Sequence, residues 1–202
     1  MLRNQLRPAV VMTLLIMIIT GIIYPGAVTA VAHVFFPRQS DGSLVLRDDG
    51  RVVGSALIGQ GFVGASYFHS RPSAAGSGYV GDSSNATNKG PTDRKLADTL
   101  IAQAVDTVVA TDGAVKGKIP SDMVTSSASG LDPDISPANA DLQVARVARA
   151  RQAAPDRIRA LVAAHTSGRQ FGLLGEPRVN VLLLNLALDS AFSLPPVSPP
   201  AH

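Results

Sequence analysis

The residues that could do chemistry are few and scattered. Four histidines, His33, His69, His165 and His202, are the imidazoles of this 202-residue chain, and no two stand four apart as a helical metal pair would. There is no cysteine, which excludes thiol catalysis and Cys-based metal sites. The chain holds no GxxxxGK[ST] loop, GxGxxG, HExxH or GxSxG, and no serine has the context of a nucleophile. His69 and His165 are therefore expected as packed or surface groups. Asp132 and Asp134 have the spacing that opens a Ca²⁺ loop. However, Pro137 stands where the sharp turn needs glycine, and Gln143 where a bidentate carboxylate should close the loop. The structural expectation is stronger: Asp132-Pro133 and Ser136-Pro137 stiffen the chain, and both acids precede a helix N-terminus whose dipole favours negative charge. Arg146, Arg149, Arg151, Arg157 and Arg159 form a basic stretch, expected as a solvated face, with a partner or lipid-headgroup surface as the alternative.

The elements around these residues follow from turn chemistry and periodicity. Ser43–Arg47 and Val52–Ile58 flank Asp48-Asp49-Gly50, a hairpin signal because Gly takes the positive φ of a tight turn. Residues 73–91 are dominated by Gly, Ser, Asn and Ala, a loop long enough to be either functional or mobile. Thr92 or Asp93 can cap a helix to about Thr111, stopped by Asp112-Gly113. Its stripe Leu96, Leu100, Ala104 and Val108 should face a core. Met123–Thr125 reads as a short strand. Ser136 as cap and Pro137 at the first helical position start a helix to about Ala153. Pro155 starts another over Asp156–Thr166. Val179–Leu186 is apolar enough for a buried strand or a helix, which periodicity does not separate.

One stretch exceeds all others in physical content. Ala9 to Phe36 is a run of 28 residues without Asp, Glu, Lys or Arg. A helix of that length crosses the ~30 Å hydrocarbon core of a bilayer at ~1.5 Å per residue. Arg3 and Arg7 precede it, and positive flanks stay inside, which puts the rest outside the cytoplasm. A cleaved signal peptide competes: a basic start, an apolar Ala9–Ile23, a helix-breaking Pro25, and small residues at Val28 and Ala30. The apolar run continues through Val31, Val34, Phe35 and Phe36, which favours the uncleaved anchor. The boundaries expected are 1–8 cytoplasmic, 9–36 transmembrane, 37–192 one periplasmic α/β (or α+β) domain, and 193–202 a Pro-rich disordered tail. The net charge of +3, a pI near 9.6 and 4% aromatics without Trp argue against a nucleic-acid partner.

Several blocks in order resemble the C subunit of the bacterial Kdp potassium-transporting ATPase, the KdpC family. Ser126 to Pro137 reads Ser-Ser-Ala-Ser-Gly-Leu-Asp-Pro-Asp-Ile-Ser-Pro, and its Ser129, Gly130, Leu131, Asp132, Pro133, Ser136 and Pro137 form the motif. Ala140, Gln143, Val144, Arg146-Val147-Ala148 and Arg151 follow it. Gly21 with Tyr24-Pro25, Gly54-Ser55, Leu57-Ile58-Gly59-Gln60, Tyr67-Phe68, Arg71-Pro72-Ser73, Gly90-Pro91-Thr92, Gly175-Glu176-Pro177 and Val179-Asn180-Val181-Leu182 complete the likeness. Ser84–Lys89 and the tail depart from the family pattern.

The resemblance implies a non-catalytic subunit of an inner-membrane complex that takes up K⁺ at high affinity. Its partners would be a channel-like K⁺-translocating subunit, a P-type ATPase subunit and a small single-span peptide, with membrane lipid around the anchor. The chain lacks the Asp-Lys-Thr-Gly-Thr phosphorylation motif, in keeping with a non-catalytic role. No cofactor is expected to bind tightly. The family also implies a chaperone that raises the ATPase subunit's affinity for ATP, with Gln60 or Gln143 as nucleotide candidates. An external domain could not meet cytoplasmic ATP, so an assembly role is preferred. Gly21, Tyr24 and Pro25 are the expected partner interface, since Gly21 allows a close helix approach. The competing function is a secreted or tethered extracytoplasmic binding protein. A tethered enzyme is disfavoured because no catalytic constellation can be named.

Overall fold

The computed structural model describes residues 2–47 and 49–192. The chain divides into two compact units, Met1–Ser55 and Ala56–His202. The expected tail, 193–202, lies outside the described residues.

In the first unit, α1 (Leu2–Ile18), a π-turn (Ile19–Ile23) and α2 (Tyr24–Phe35) form one continuous apolar helix. Within it, 32 residues, Asn4–Phe35, are long and apolar enough to cross a membrane, and their most apolar window has none of its surface buried. Pro25 does not break this helix. It occupies the first turn of α2, where its missing N–H is tolerated, and the π-turn before it absorbs the change in register. A short α3 (Pro37–Ser40) follows, then β1 (Leu44–Leu46) paired antiparallel to β2 (Val52–Ser55). Gly50 takes φ +79° in the connecting turn, as the Asp-Gly signal requires. The Ser55 hydroxyl donates to the Gly42 carbonyl at 2.7 Å.

The second unit packs three helices against a small antiparallel sheet of order β3-β5-β4. The strands are β3 (Asp134–Ile135), β4 (Thr166–Ser167) and β5 (Arg178–Asn180). The helices at the core are α5 (Pro137–Ala150), α6 (Pro155–Ala164) and α7 (Val181–Ala191). Ala140, Val144, Val147 and Ala148 repeat at helical spacing on α5, and Val181, Leu184 and Leu188 do so on α7. These faces close over Phe68, Ile135, Ile158 and Val179, each 2% exposed or less. One long apolar helix followed by a mixed helix and strand region is the expected class.

Local signals locate most elements, with four corrections. The Val179 segment is both alternatives in succession, strand β5 and then helix α7, capped by Asn180 accepting from the Leu183 N–H at 3.1 Å. Helix α5 stops at Ala150 instead of Ala153. Gln152 turns left-handed (φ +53°) and Ala153 N–H reaches back to the Ala148 carbonyl, the closure typical of a helix end. Helix α6 stops at Ala164 because Thr166 and Ser167 pair with β5. Met123–Thr125 is not a strand: Ser121–Met123 form a 3₁₀ turn after Pro120.

The helix expected from Thr92 or Asp93 begins with Asp93 accepting the Leu96 N–H, runs through a π-turn (Leu96–Ile101), continues as α4 (Ala102–Asp112), and ends at left-handed Gly113. Its apolar stripe is buried at one end and open at the other. Of these residues Val108 is buried, whereas Leu96, Leu100 and Ala104 border a cleft of about 470 Å³ against residues 72–74 and 124–126.

Candidate functional site

The segment 64–69 has no strand partner, yet Phe68 is fully buried. Buried backbone must find hydrogen bonds, and here side chains supply them. The Phe68 N–H donates to Asn185 Oδ1 and Asn185 Nδ2 donates to the Phe68 carbonyl, both at 2.9 Å. One residue on, the His69 N–H donates to Gln143 Oε1 at 2.7 Å, and Gln143 Nε2 returns to the His69 carbonyl at 3.1 Å. Two carboxamides, from α7 and α5, thus imitate the reciprocal pairing of an antiparallel ladder.

Two arginines complete the clamp. Arg146 Nη1 donates to the carbonyls of Ala65 and Tyr67, each at 2.8 Å, its Nη2 to Gln143 Oε1 at 2.7 Å, and its Nε to Asp112 at 2.6 Å. The side chains of this ion pair are 7% and 2% exposed. Arg151 donates to the Ser66 and Phe192 carbonyls and to Asp189, while its guanidinium lies 4.9 Å from the Tyr67 ring centroid. The basic stretch is therefore not a uniformly solvated face. Arg146 and Arg151 are buried structural donors, and Arg159 is an exposed member, pairing with Asp141 and Asp156.

His69 Nε2–H donates to the Gly64 carbonyl at 2.9 Å, since a carbonyl can only accept. Burial lowers its pKa from the ordinary 6.5, and the charge of Arg146 lowers it further. The unfolded chain therefore takes up a proton near pH 6.5 that the folded state refuses. Stability from this group is present above that pH and is lost on acidification toward the lower folded value. His69→Gln should flatten the fall of the unfolding midpoint between pH 6.5 and 5; an unaltered slope would assign the titration to another group.

The second hub is the Ser129–Pro137 motif. Gly59 N–H donates to the Leu131 carbonyl, Asn85 N–H to that of Ser129, and Val181 N–H to that of Pro133. Ser73 Oγ donates to the Gly130 carbonyl at 2.6 Å and accepts the Tyr79 N–H. Tyr79 hydroxyl in turn donates to the Arg71 carbonyl. The long Gly/Ser loop 73–91 is thereby tied to the motif at several points. Ser136 accepts the Asn139 N–H at 3.1 Å, with Pro137 at the first turn.

The acid at this helix start is neither Asp132 nor Asp134. Asp122 accepts from the Ser136 N–H, the Ser136 hydroxyl and Asn139 Nδ2. Asp132 instead pairs with Arg71 at 3.0 Å and accepts the Asp134 N–H, and Asp134 pairs with Arg178. Asp122→Ala should cost about 2–3 kcal/mol, because three donors lose an ionised acceptor, against about 1–2 for Asp132→Ala. Equal shifts in denaturant midpoint would remove the distinction.

Gln143 is buried and its carboxamide is engaged at both ends, Nε2 donating to Asn139 and His69 and Oε1 accepting from His69 and Arg146. Gln60 is half-buried, and its carbonyl accepts from the Ser70 hydroxyl at 3.0 Å. Gly21, Tyr24 and Pro25 are exposed on the apolar helix. Among the described residues no group of three or more His, Asp or Glu is placed to hold a metal. One surface feature escaped sequence reasoning. Phe171 and Leu173 are 92% and 79% exposed on a turn closed by the Gln170–Leu174 bridge and by Arg169 donating to both Glu176 oxygens. The apolar run Phe171-Gly172-Leu173-Leu174, closed by Gly175, was the available signal.

A family model described as the K⁺-transporting ATPase c chain matches residues 6–190. The chain belongs to the KdpC family. A potassium-transporting ATPase KdpC subunit of Gemmatimonas aurantiaca is 61% identical over 194 residues, 96% of each chain. KdpC subunits of Myxococcus xanthus and Rhodospirillum rubrum are each 53% identical, over 91% and 96% of this chain and 87% and 99% of theirs. The KdpC match spans both hubs and the apolar helix. The chain is thus a subunit of the K⁺-transporting ATPase, with one helix among the described residues long and apolar enough to cross a membrane.

Proposed function

We propose that this KdpC chain is the non-catalytic accessory subunit that assembles and stabilises a high-affinity, ATP-driven potassium uptake complex. Residues 1–8 lie in the cytoplasm, one helix crosses the inner membrane, and residues 37–192 lie in the periplasm. The carrying observation is a 32-residue apolar helix left uncovered, in a chain whose buried Gln143 and Arg146 side chains are engaged by its own scaffold. Arg3 and Arg7 before the charge-free run Ala9–Phe36 support the orientation. Its partners are the channel-like K⁺-translocating subunit, the P-type ATPase subunit and the small single-span peptide, with lipid around the anchor. The exposed Phe171–Leu174 turn suits a partner's surface.

No group of this chain binds ATP directly in this reading. A chaperone-like effect on ATP affinity travels through the membrane as a coupling between conformational states of the complex. Complex prepared without this chain should lose K⁺-stimulated ATPase activity and regain it on adding the chain back; unchanged activity would overturn the proposal. The absence of cysteine permits a topology test. Ser83→Cys, on the exposed loop, should react with a membrane-impermeant maleimide in intact cells, in a protein of full length. Reaction only after permeabilisation would turn the folded unit inward and make direct nucleotide contact the better mechanism. A shortened soluble product would favour the secreted binding protein.

A further inference from the structure

The π-turn in the apolar helix leaves backbone acceptors without helical donors. Tyr24 N–H reaches back five residues to the Ile19 carbonyl, and Pro25, next along the chain, has no N–H. Pro25 therefore lacks the N–H that the Gly21 carbonyl would take in an α register and the Thr20 carbonyl in a π register, which leaves Gly26 as the next N–H for the carbonyls of Thr20, Gly21 and Ile22. It can serve one of them fully. The Thr20 hydroxyl offers no relief, because its hydrogen is spent on the Ile16 carbonyl at 2.7 Å. These carbonyls lie near the middle of the Asn4–Phe35 span, where a bilayer supplies no water. Gly21 has no side chain to shield them, and a Cβ there would meet nothing within 4 Å.

We infer that the Thr20–Pro25 notch is a docking site for a membrane helix of another subunit, one that brings a hydrogen-bond donor to these carbonyls. A second copy of this helix does not fit. Two copies inserted in the same direction meet at equal depth, acceptor against acceptor. The inference rests on the subunit reading above and specifies which part of the helix makes the contact and by what chemistry.

The test is a photo-crosslinking residue placed singly at positions 16–28 of the full-length chain, in the complex in native membranes. Adducts with a partner subunit should be strongest at Gly21 and Pro25 and weak at Ile19 and Ile23. Equal yields around the helix, adducts between two copies, or adducts with lipid alone would overturn the inference. Pro25→Ala restores an N–H, makes the partner's donor redundant, and should lower the partner retained in mild detergent by about threefold to fivefold. Gly21→Leu should also lower it, whereas Val31→Leu, beyond the notch, should leave it unchanged. Full retention by Pro25→Ala overturns the donor. Failure of the unaltered chain to co-purify with any Kdp subunit would instead overturn the subunit reading, and this inference with it.

Discussion

Arg146→Met is expected to destabilise the protein by about 3–5 kcal/mol, read as a lowered denaturant midpoint of the full-length chain in detergent. The magnitude comes from what is left behind. Asp112, whose side chain is 2% exposed, loses the guanidinium 2.6 Å away. The Ala65 and Tyr67 carbonyls lose their donors in a segment with no strand to replace them. Adding Asp112→Asn should recover part of the loss by removing the uncompensated charge, and the non-additivity measures the pair. Arg159→Ala is the control. Its partners Asp141 and Asp156 are 63% and 94% exposed, so water already screens the charges and the midpoint should hardly move. An Arg146→Met protein as stable as the Arg159→Ala one would mean that the 64–69 segment is held by something other than this clamp.

Gly130→Ala should cost about 2–5 kcal/mol and loosen the 73–91 loop. Gly130 has φ +68°, and a Cβ there would lie 2.6 Å from the Asn85 carbonyl oxygen and 2.7 Å from the Ala75 nitrogen. Both neighbours are backbone, so neither can rotate away. Conformational strain contributes ~1 kcal/mol, and steric displacement of the loop the remainder. Gly113 separates the two contributions: it has the same φ, +68°, and open space where its Cβ would go. Gly113→Ala should therefore show the strain alone, about 1 kcal/mol. Equal losses at the two positions would mean that the loop yields and that close packing does not fix Gly130.

The burial of Arg146 and Gln143 was not legible in the sequence. On α5, Asn139, Gln143 and Arg146 follow a helical repeat beside Ala140, Val144 and Val147. A charged residue next to a core stripe reads as surface, because burying it costs energy unless partners are supplied. Those partners are the carbonyls of residues 65 and 67, about eighty positions away in sequence. Likewise Asp132 was legible as an acid before a helix, but a turn of chain brought Asp122 to that helix start and Arg71 to Asp132. The stripe Leu96, Leu100, Ala104 and Val108 was read correctly as apolar, and Val108 is buried, but the other three border a cleft, since periodicity reports a face and not what covers it.

The sequence by itself determined the features whose causes are local. The charge-free run from Ala9 to Phe36 dictates a helix long enough for a membrane. Gly50 makes the hairpin turn, Ser136-Pro137 starts α5, Gly113 ends α4, and the ordered motifs place the chain in its family. Each depends on residues within a turn or two of one another. The tertiary structure decided what depends on distant neighbours: which arginines are buried, which acid meets which donor, and how an unpaired segment acquires hydrogen bonds. His69 meets Gln143 across 74 residues and Phe68 meets Asn185 across 117. Hydrogen-bond partners at such separations are chosen by where the core holds the backbone, and no local pattern carries that information.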